Sequence, residues 1–186
     1  NLKRNIYKSI YGNKIIFEEI NMDLGASFTY KWMNSEKFGF VKQSVLSNIS
    51  NTAYTVSVLD GIQNILPPDI NRNLQLGFSS LVDAYKKSEL LSDFKIGLFM
   101  LSSVIVDKAE PSEALNTTVV WSTGPEKSKI LLSSRQINNF RKGIPLEEEA
   151  DVRATRGAYF INSEVNLLGG NQKTWLTIAE VNKNAG

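Results

Sequence analysis

Histidine and cysteine are both absent from this chain of 186 residues. Their absence excludes a Ser-His-Asp or Cys-His nucleophile pair, a zinc site of Cys/His ligands and a disulfide framework. An excess of charge of one sign is also missing, because 21 Lys and Arg residues face 19 Asp and Glu residues, which gives a net charge of +2. This balance predicts neither a nucleic-acid partner nor an anionic membrane partner.

Long apolar runs and cofactor motifs are missing as well. No stretch reaches the roughly 20 apolar residues that a membrane-spanning helix needs. The longest apolar segment, residues 96–106, is interrupted by Gly97, Ser102 and Ser103, and we interpret it as a strand. There is no G-x-G-x-x-G, no P-loop and no calcium-binding loop. We therefore expect no cofactor and no metal ion.

The composition that remains is that of a globular domain. Hydrophobic residues make up 42% of the chain and aromatic residues 10%, which is enough to fill a core at this length. The chain begins at Asn1 and ends in the polar segment 182–186. We interpret residues 1–186 as one domain cut from a longer protein, and no segment indicates a cellular location.

Alternation of apolar and polar residues predicts strands along most of the chain. Gly12-Asn13 predicts a tight hairpin, because both residue types tolerate positive φ. Phe28, Tyr30 and Trp32 are predicted to share one face of a strand. The predicted strands are residues 5–11, 14–20, 27–32, 38–49, 52–59, 96–106, 115–122, 129–132, 157–165 and 174–181. Their short connections favour antiparallel pairing and an all-β fold, mainly an antiparallel β-sandwich.

One segment has helical spacing instead. Ser80 and Asp83 resemble a capping box with a shorter acid, and Asp83 and Lys87 have the spacing of an i,i+4 ion pair. The apolar positions with helical spacing are Phe78, Leu81, Val82 and Tyr85. This pattern predicts one helix over residues 80–91, packed on a sheet.

The most suggestive polar cluster is residues 107–113, which holds Asp107, Glu110 and Glu113. Two of these carboxylates could act as acid and base in glycoside hydrolysis if the fold places them roughly 5 to 9.5 Å apart. The alternative is a solvated turn fixed by Pro111, which is the commoner arrangement. A second charged run, residues 147–149, is expected to be a solvated loop.

The aromatic stripe of Phe28, Tyr30 and Trp32 has two interpretations. It could stack on the apolar faces of sugar rings, or it could be a sheet face packed in the core. Trp32 is the best candidate for sugar contact, because polar residues follow it directly at 34–36. A further acid, Asp60, is expected at a strand end, where a turn at Gly61 would donate hydrogen bonds to it.

Several stretches resemble a known family. They are residues 30–41, residues 59–67 (LDGIQNILP), residues 81–86 (LVDAYK), residues 109–114 (AEPSEA) and residues 119–122 (VVWS). Together they resemble the N-terminal region of large bacterial proteins similar to cellobiose phosphorylases, the glycoside hydrolase family 94-like group. The resemblance implies a galactose-mutarotase-like β-sandwich that precedes a helical linker and a helical barrel. In that family the barrel holds the catalytic acid and the phosphate site, so no catalytic residue is assigned to this chain.

Three functions are compatible with these observations. The leading hypothesis is a non-catalytic β-sandwich module of a carbohydrate-active enzyme, whose partner is the catalytic domain of the same chain. The second is a free-standing carbohydrate-binding domain that uses an exposed aromatic row. The third is a small glycosidase that uses the carboxylates of residues 107–113. Trp32, Glu110 and Glu113 are the candidate substrate-binding residues, an oligosaccharide is the candidate ligand, and a homodimer remains open.

Overall fold

The computed structural model describes residues 1–68, 70–103, 105, 114–125 and 127–184, the last without its side chain. Strands dominate this described part of the chain, and its helices are short. The strands are β1 (Leu2–Lys8), β2 (Lys14–Asn21), β3 (Ala26–Ser35), β4 (Gly39–Asn48), β5 (Tyr54–Ile65), β6 (Lys86–Leu91), β7 (Ile96–Leu101), β8 (Asn116–Thr123), β9 (Lys129–Leu131), β10 (Asp151–Arg153), β11 (Gly157–Leu167) and β12 (Gln172–Asn184). The helices are α1 (Arg72–Gly77), α2 (Ser79–Tyr85) and α3 (Ile137–Arg141). The predicted all-β, antiparallel class is confirmed.

The chain divides into two compact units. Unit 1 contains Asn1–Val58, Ser122–Ser128 and Ser163–Ala179. Unit 2 contains Leu59–Trp121, Lys129–Asn162 and Glu180–Gly186. Strands β5, β8, β11 and β12 each contribute residues to both units.

Unit 1 is built on an antiparallel sheet with the strand order β1-β2-β3-β4-β12. The register aligns Tyr30 of β3 with Phe17 of β2 and with Ser44 of β4. Trp32 is two residues further along the same regular ladder, opposite Ile15. Since directly opposed residues point to the same side of a sheet, Phe28, Tyr30 and Trp32 share one face. This prediction is confirmed.

Unit 2 contains the strands β8-β7-β6-β10 of the nine-stranded sheet and parts of the three-stranded sheet β5-β11-β9. Two glycines allow their close approach. A Cβ atom on Gly97 of β7 would lie 2.9 Å from the ring of Tyr159 on β11. A Cβ on Gly157 would lie 2.6 Å from the ring of Phe99. Tyr159 and Phe99 are both buried, and their rings occupy the space that a side chain at Gly97 or Gly157 would fill. This is the packing of a β-sandwich.

The predicted helix over residues 80–91 is wrong in its second half. Helix α2 ends at Tyr85, and residues 86–91 form strand β6. In β6 Lys86, Ser88 and Leu90 are buried while the residues between them are half-buried, a period of two that a helix could not satisfy. The expected capping box is also absent, because the N-cap is Phe78 and no side chain caps the helix. Asp83 pairs with Lys86 at 2.7 Å instead of with Lys87.

Asp60 does not sit at a strand end, as the sequence predicted. It lies within β5 and is buried. Gly61 is part of the same strand, and a Cβ atom there would lie 1.9 Å from the carbonyl oxygen of Tyr159. The glycine therefore serves the close approach of two strands, which its turn propensity alone did not indicate.

The acidic run at residues 147–149 lies in a loop, as predicted, with Glu147 and Glu148 exposed and Glu149 half-buried. Two of its carboxylates also accept hydrogen bonds from the protein. The Glu148 carboxylate accepts a hydrogen bond from the Ile130 N–H at 3.0 Å. The Glu149 carboxylate accepts hydrogen bonds from the Leu132 N–H at 2.8 Å and from the Ser133 hydroxyl at 3.0 Å. These carboxylates satisfy donors at the end of β9.

Candidate functional site

The structure describes one of the three predicted site residues, Trp32, whose role as a sugar contact stays a prediction. Trp32 lies on β3 and is half-buried, opposite Lys42 of β4. Glu110 and Glu113, together with Asp107, lie outside the described residues. Their proposed roles as acid, base or sugar contact therefore stay predictions.

The aromatic side chains on the Trp32 face stack on one another. The rings of Phe17 and Tyr30 are 4.8 Å apart and nearly parallel, at 15°. The rings of Phe28 and Trp175 are 6.0 Å apart at 28°. The Lys42 Nζ lies 5.1 Å from the Tyr30 ring centroid, a cation–π contact. Because their faces engage protein groups, Phe28 and Tyr30 do not form an exposed coplanar platform for sugar rings.

An open pocket of about 450 Å³ lies within unit 1. Three separate segments line it: Gly124, Pro125 and Lys127 after β8, residues 163–166 of β11 and residues 173–175 of β12. Its volume is within the range of roughly 300 to 1,000 Å³ that small-molecule sites occupy.

The wall to which Gly124, Pro125 and Lys127 contribute is held at Gly124 and at Lys127. Gly124 has φ +130°, and a Cβ atom there would lie 2.6 Å from the Trp175 Cβ. At the other end the Ser163 hydroxyl donates a hydrogen bond to the Lys127 carbonyl at 2.9 Å. Trp175 itself is 2% exposed, so the wall lies against a fixed side chain.

The polar side chains of the pocket come from different strands. Lys127, Glu164, Asn166 and Lys173 line it and are exposed to solvent. The Asn166 side chain is fixed by a hydrogen bond that its oxygen accepts from the Thr55 hydroxyl. Together these groups offer cationic donors, a carboxylate acceptor and an amide, which suits a ligand rich in hydroxyl groups.

No motif in the sequence indicates this pocket. Its polar residues belong to three segments of the sequence, and more than thirty positions separate Lys127 from the next of them, Ser163. These residues form no motif with a recognisable spacing. The available signals were Gly124 and the alternation of exposed Glu164 and Asn166 with buried neighbours along β11. Neither indicates a site until β11 and β12 are placed beside the loop.

A second cavity, of about 220 Å³, lies within unit 2. Its lining includes Lys86, whose side chain is 2% exposed. The Lys86 Nζ donates to Asp83 Oδ1 at 2.7 Å and to Gln75 Oε1 at 2.9 Å. Arg156 Nε lies 3.6 Å from Asp83 Oδ2. The buried cation is thus paired and ties α1 and α2 to β6, which is a structural role.

The sheet face opposite Trp32 in unit 1 carries a small polar cluster. The Asn5 amide and the Tyr7 hydroxyl both donate to Glu18 Oε2 at 2.9 Å. The hydrogen bond to Glu18 raises the pKa of Tyr7 above its ordinary value of 10.0.

Among the described residues no group of three or more Asp and Glu side chains could hold a metal ion. No described helix is long and apolar enough to cross a membrane.

The known proteins that resemble this chain do so weakly. No protein-family model matches the chain, and no curated protein matches it. Two solved structures of heparinase III, one with methylated lysines, are similar to 100% and 99% of this chain. The identities are 11% and 10%, the TM-scores are 0.46 and 0.43, and the chain spans 22% of each heparinase chain. Likenesses this weak carry no argument about this chain, and the resemblance to cellobiose phosphorylases stays a hypothesis.

Proposed function

We propose that this chain is a non-catalytic β-sandwich module of a carbohydrate-active enzyme and that it binds saccharide in the unit 1 pocket. The observation that carries the proposal is the lining of that pocket by Lys127, Glu164, Asn166 and Lys173. Saccharides present many hydroxyl groups, each both donor and acceptor, and a pocket with both kinds of partner can bind them from several sides.

The fixed geometry of the pocket supports binding. Gly124 is held against Trp175, Lys127 is held by Ser163, and Asn166 is held by Thr55. Groups that are already ordered lose little conformational entropy when a ligand arrives, so more of the interaction energy appears as affinity.

The proposal assigns binding to this pocket. Glycoside hydrolysis requires a pair of carboxyl groups roughly 5 to 9.5 Å apart, whereas the described lining contributes one carboxylic acid, Glu164. The stacked rings of Phe17 and Tyr30 also count against the alternative of a free-standing domain with an exposed aromatic row.

The resemblance to cellobiose phosphorylase-like proteins adds a partner to the proposal. It implies that the module packs on a helical-barrel catalytic domain of the same chain. In that arrangement the pocket holds part of a saccharide whose reacting bond lies in the barrel. Phosphorylase or hydrolase chemistry would then belong to the barrel alone.

Calorimetric titration with a panel of neutral and acidic oligosaccharides tests the proposal. We expect at least one saccharide to bind, and the double variant Lys173→Ala/Asn166→Ala to bind it about tenfold more weakly or worse, the loss expected for two hydrogen-bonding groups. Lys142→Ala is the matched control, because Lys142 is an exposed lysine of unit 2. Equal affinity for the pocket variant and the control would refute the pocket as the site.

A further inference from the structure

Two hairpin loops lie at the same end of the unit 1 sheet. Residues 9–13 join β1 to β2, and residues 36–38 join β3 to β4. Lys14 at the start of β2 is paired with Met33 near the end of β3, so both loops begin at a similar height along the strands. Because paired strands are about 4.8 Å apart, the two loops are neighbours.

Large apolar side chains at these loops are exposed. Ile10 is 99% exposed and Tyr11 is 89% exposed. Phe40 is 52% exposed, and Phe38 is 40% exposed. Single exposed apolar residues are ordinary on protein surfaces, whereas a group of them at one end of a sheet marks an interaction site.

The first hairpin loop is a rigid turn. The Gly12 N–H donates to the Ser9 carbonyl at 2.9 Å, and the Ser9 N–H donates to the Lys14 carbonyl at 3.0 Å. The Ser9 hydroxyl also donates to Asn13 Oδ1 at 2.8 Å. Gly12 has φ +71°, which glycine adopts without strain. Ile10 and Tyr11 are therefore held in the exposed position by the backbone of the turn.

Lysines flank the apolar tips on both faces of the sheet. Lys8 is paired with Ile15, so it lies on the Trp32 face, and Lys14 lies on the opposite face. Lys37 is in the second loop, where its Nζ lies 5.1 Å from the Phe38 ring. Segments 8–14 and 34–40 contain these three lysines and one acid, Glu36, for a net charge of 3 − 1 = +2.

We propose that this hairpin end, formed by Ile10, Tyr11, Phe38 and the three lysines, binds a lipid surface with anionic headgroups. The apolar tips would enter the boundary between headgroups and acyl chains while the lysines contact headgroup phosphates and carboxylates. Lysines on both faces of the sheet at this hairpin end match an anionic surface that surrounds the exposed tip. The near-zero net charge of the chain conceals this local excess of positive charge.

Vesicle flotation with the 186-residue protein tests the proposal. We expect binding to phosphatidylcholine vesicles that contain phosphatidylserine, weaker binding to pure phosphatidylcholine, and a loss of binding as salt is raised. Ile10→Ser/Tyr11→Ser should reduce partitioning about tenfold or more, because two apolar side chains no longer enter the bilayer. Leu24→Ser is the matched control. Leu24 is 70% exposed in the loop between β2 and β3, at the opposite end of the same sheet.

The absence of cysteine permits a second readout. Tyr11→Cys and Leu24→Cys each create a unique site for an environment-sensitive fluorophore. A blue shift on adding anionic vesicles for the label at 11, without one at 24, supports the proposal. Failure of the folded protein to bind anionic vesicles would overturn it, and would leave a protein partner for this end. Equal vesicle binding by the double serine variant and the Leu24→Ser control would also overturn it.

Discussion

The backbone of Gly124 lies directly against the side chain of Trp175. A Cβ atom on Gly124 would be 2.6 Å from the Trp175 Cβ and 3.0 Å from its Cα, and the φ of Gly124 is +130°. Both constraints restrict this position to glycine. A Cβ atom closer than 3.0 Å would force the neighbouring atoms to move, and a φ of +130° is strained for residues that carry a side chain. The contact fixes one wall of the unit 1 pocket.

Gly124→Ala should therefore weaken both stability and saccharide binding. We expect a loss of about 1–3 kcal/mol in the free energy of unfolding, measured by urea denaturation. The control is Gly77→Ala, since no atom lies within 4 Å of a Cβ at Gly77. This control should unfold at the same or a slightly higher urea concentration. Equal stability of the two variants would contradict the contact.

The two tryptophans of unit 1 should respond differently to truncation. Trp175 is 2% exposed and stacks on Phe28, so Trp175→Ala should cost about 3–5 kcal/mol. Trp32 is half-buried, and Trp32→Ala should cost clearly less. Thermal melting of both variants checks this order. A cost for Trp32 as large as that for Trp175 would assign Trp32 to the core and remove it as a sugar-contact candidate.

Glu149 should stabilise unit 2 through its hydrogen bonds. Its carboxylate accepts from the Leu132 N–H, the Ser133 hydroxyl and the Gln136 amide. Leu132 and Ser133 are buried, so Glu149→Ala leaves donors without this acceptor and should cost about 1–3 kcal/mol. Glu147→Ala is the control, because Glu147 is exposed and its hydrogen bonds use its backbone. Chemical denaturation that gives the same loss for both would refute this role.

Arg153 should control the ionisation of Asp151. The hydrogen bond from Arg153 lowers the pKa of Asp151 below its ordinary value of 3.8. A carboxyl group with a lowered pKa favours the folded state above its unfolded pKa, and this contribution disappears as the pH falls through the folded pKa. Arg153→Ala should return the pKa of Asp151 toward 3.8 in an NMR titration. An unchanged Asp151 titration would contradict the pairing.

The alternation of apolar and polar residues was sufficient to predict which side chains share a face of β3 in unit 1. Phe28, Tyr30 and Trp32 alternate with polar residues, and this period of two decides the face without any tertiary information. A hairpin at Gly12-Asn13 was predicted from local backbone preference, but the predicted two-residue connection was too short. Strand β1 ends at Lys8, so the loop spans residues 9–13, and Gly12 has positive φ while Asn13 does not. In each case the physical cause lies within a few residues of the chain.

Features that depend on packing between distant strands could not be predicted in this way. Residues 86–91 follow α2 directly without a helix-breaking residue, and their pairing with β7 decides that they form a strand. Gly61 is a residue type common in turns, but here it lies in β5 and allows the backbone of Tyr159 to approach closely. The pocket residues Glu164 and Lys173 come together through the fold alone.

Mapping the saccharide contact by NMR tests the central claim most directly. A saccharide that binds is titrated into isotope-labelled protein, and the amide shifts are followed along the chain. The account predicts that the largest changes fall at Gly124, Lys127, residues 163–166 and residues 173–175, which line the unit 1 pocket. Largest changes around Trp32 on β3, with none at these three segments, would contradict it.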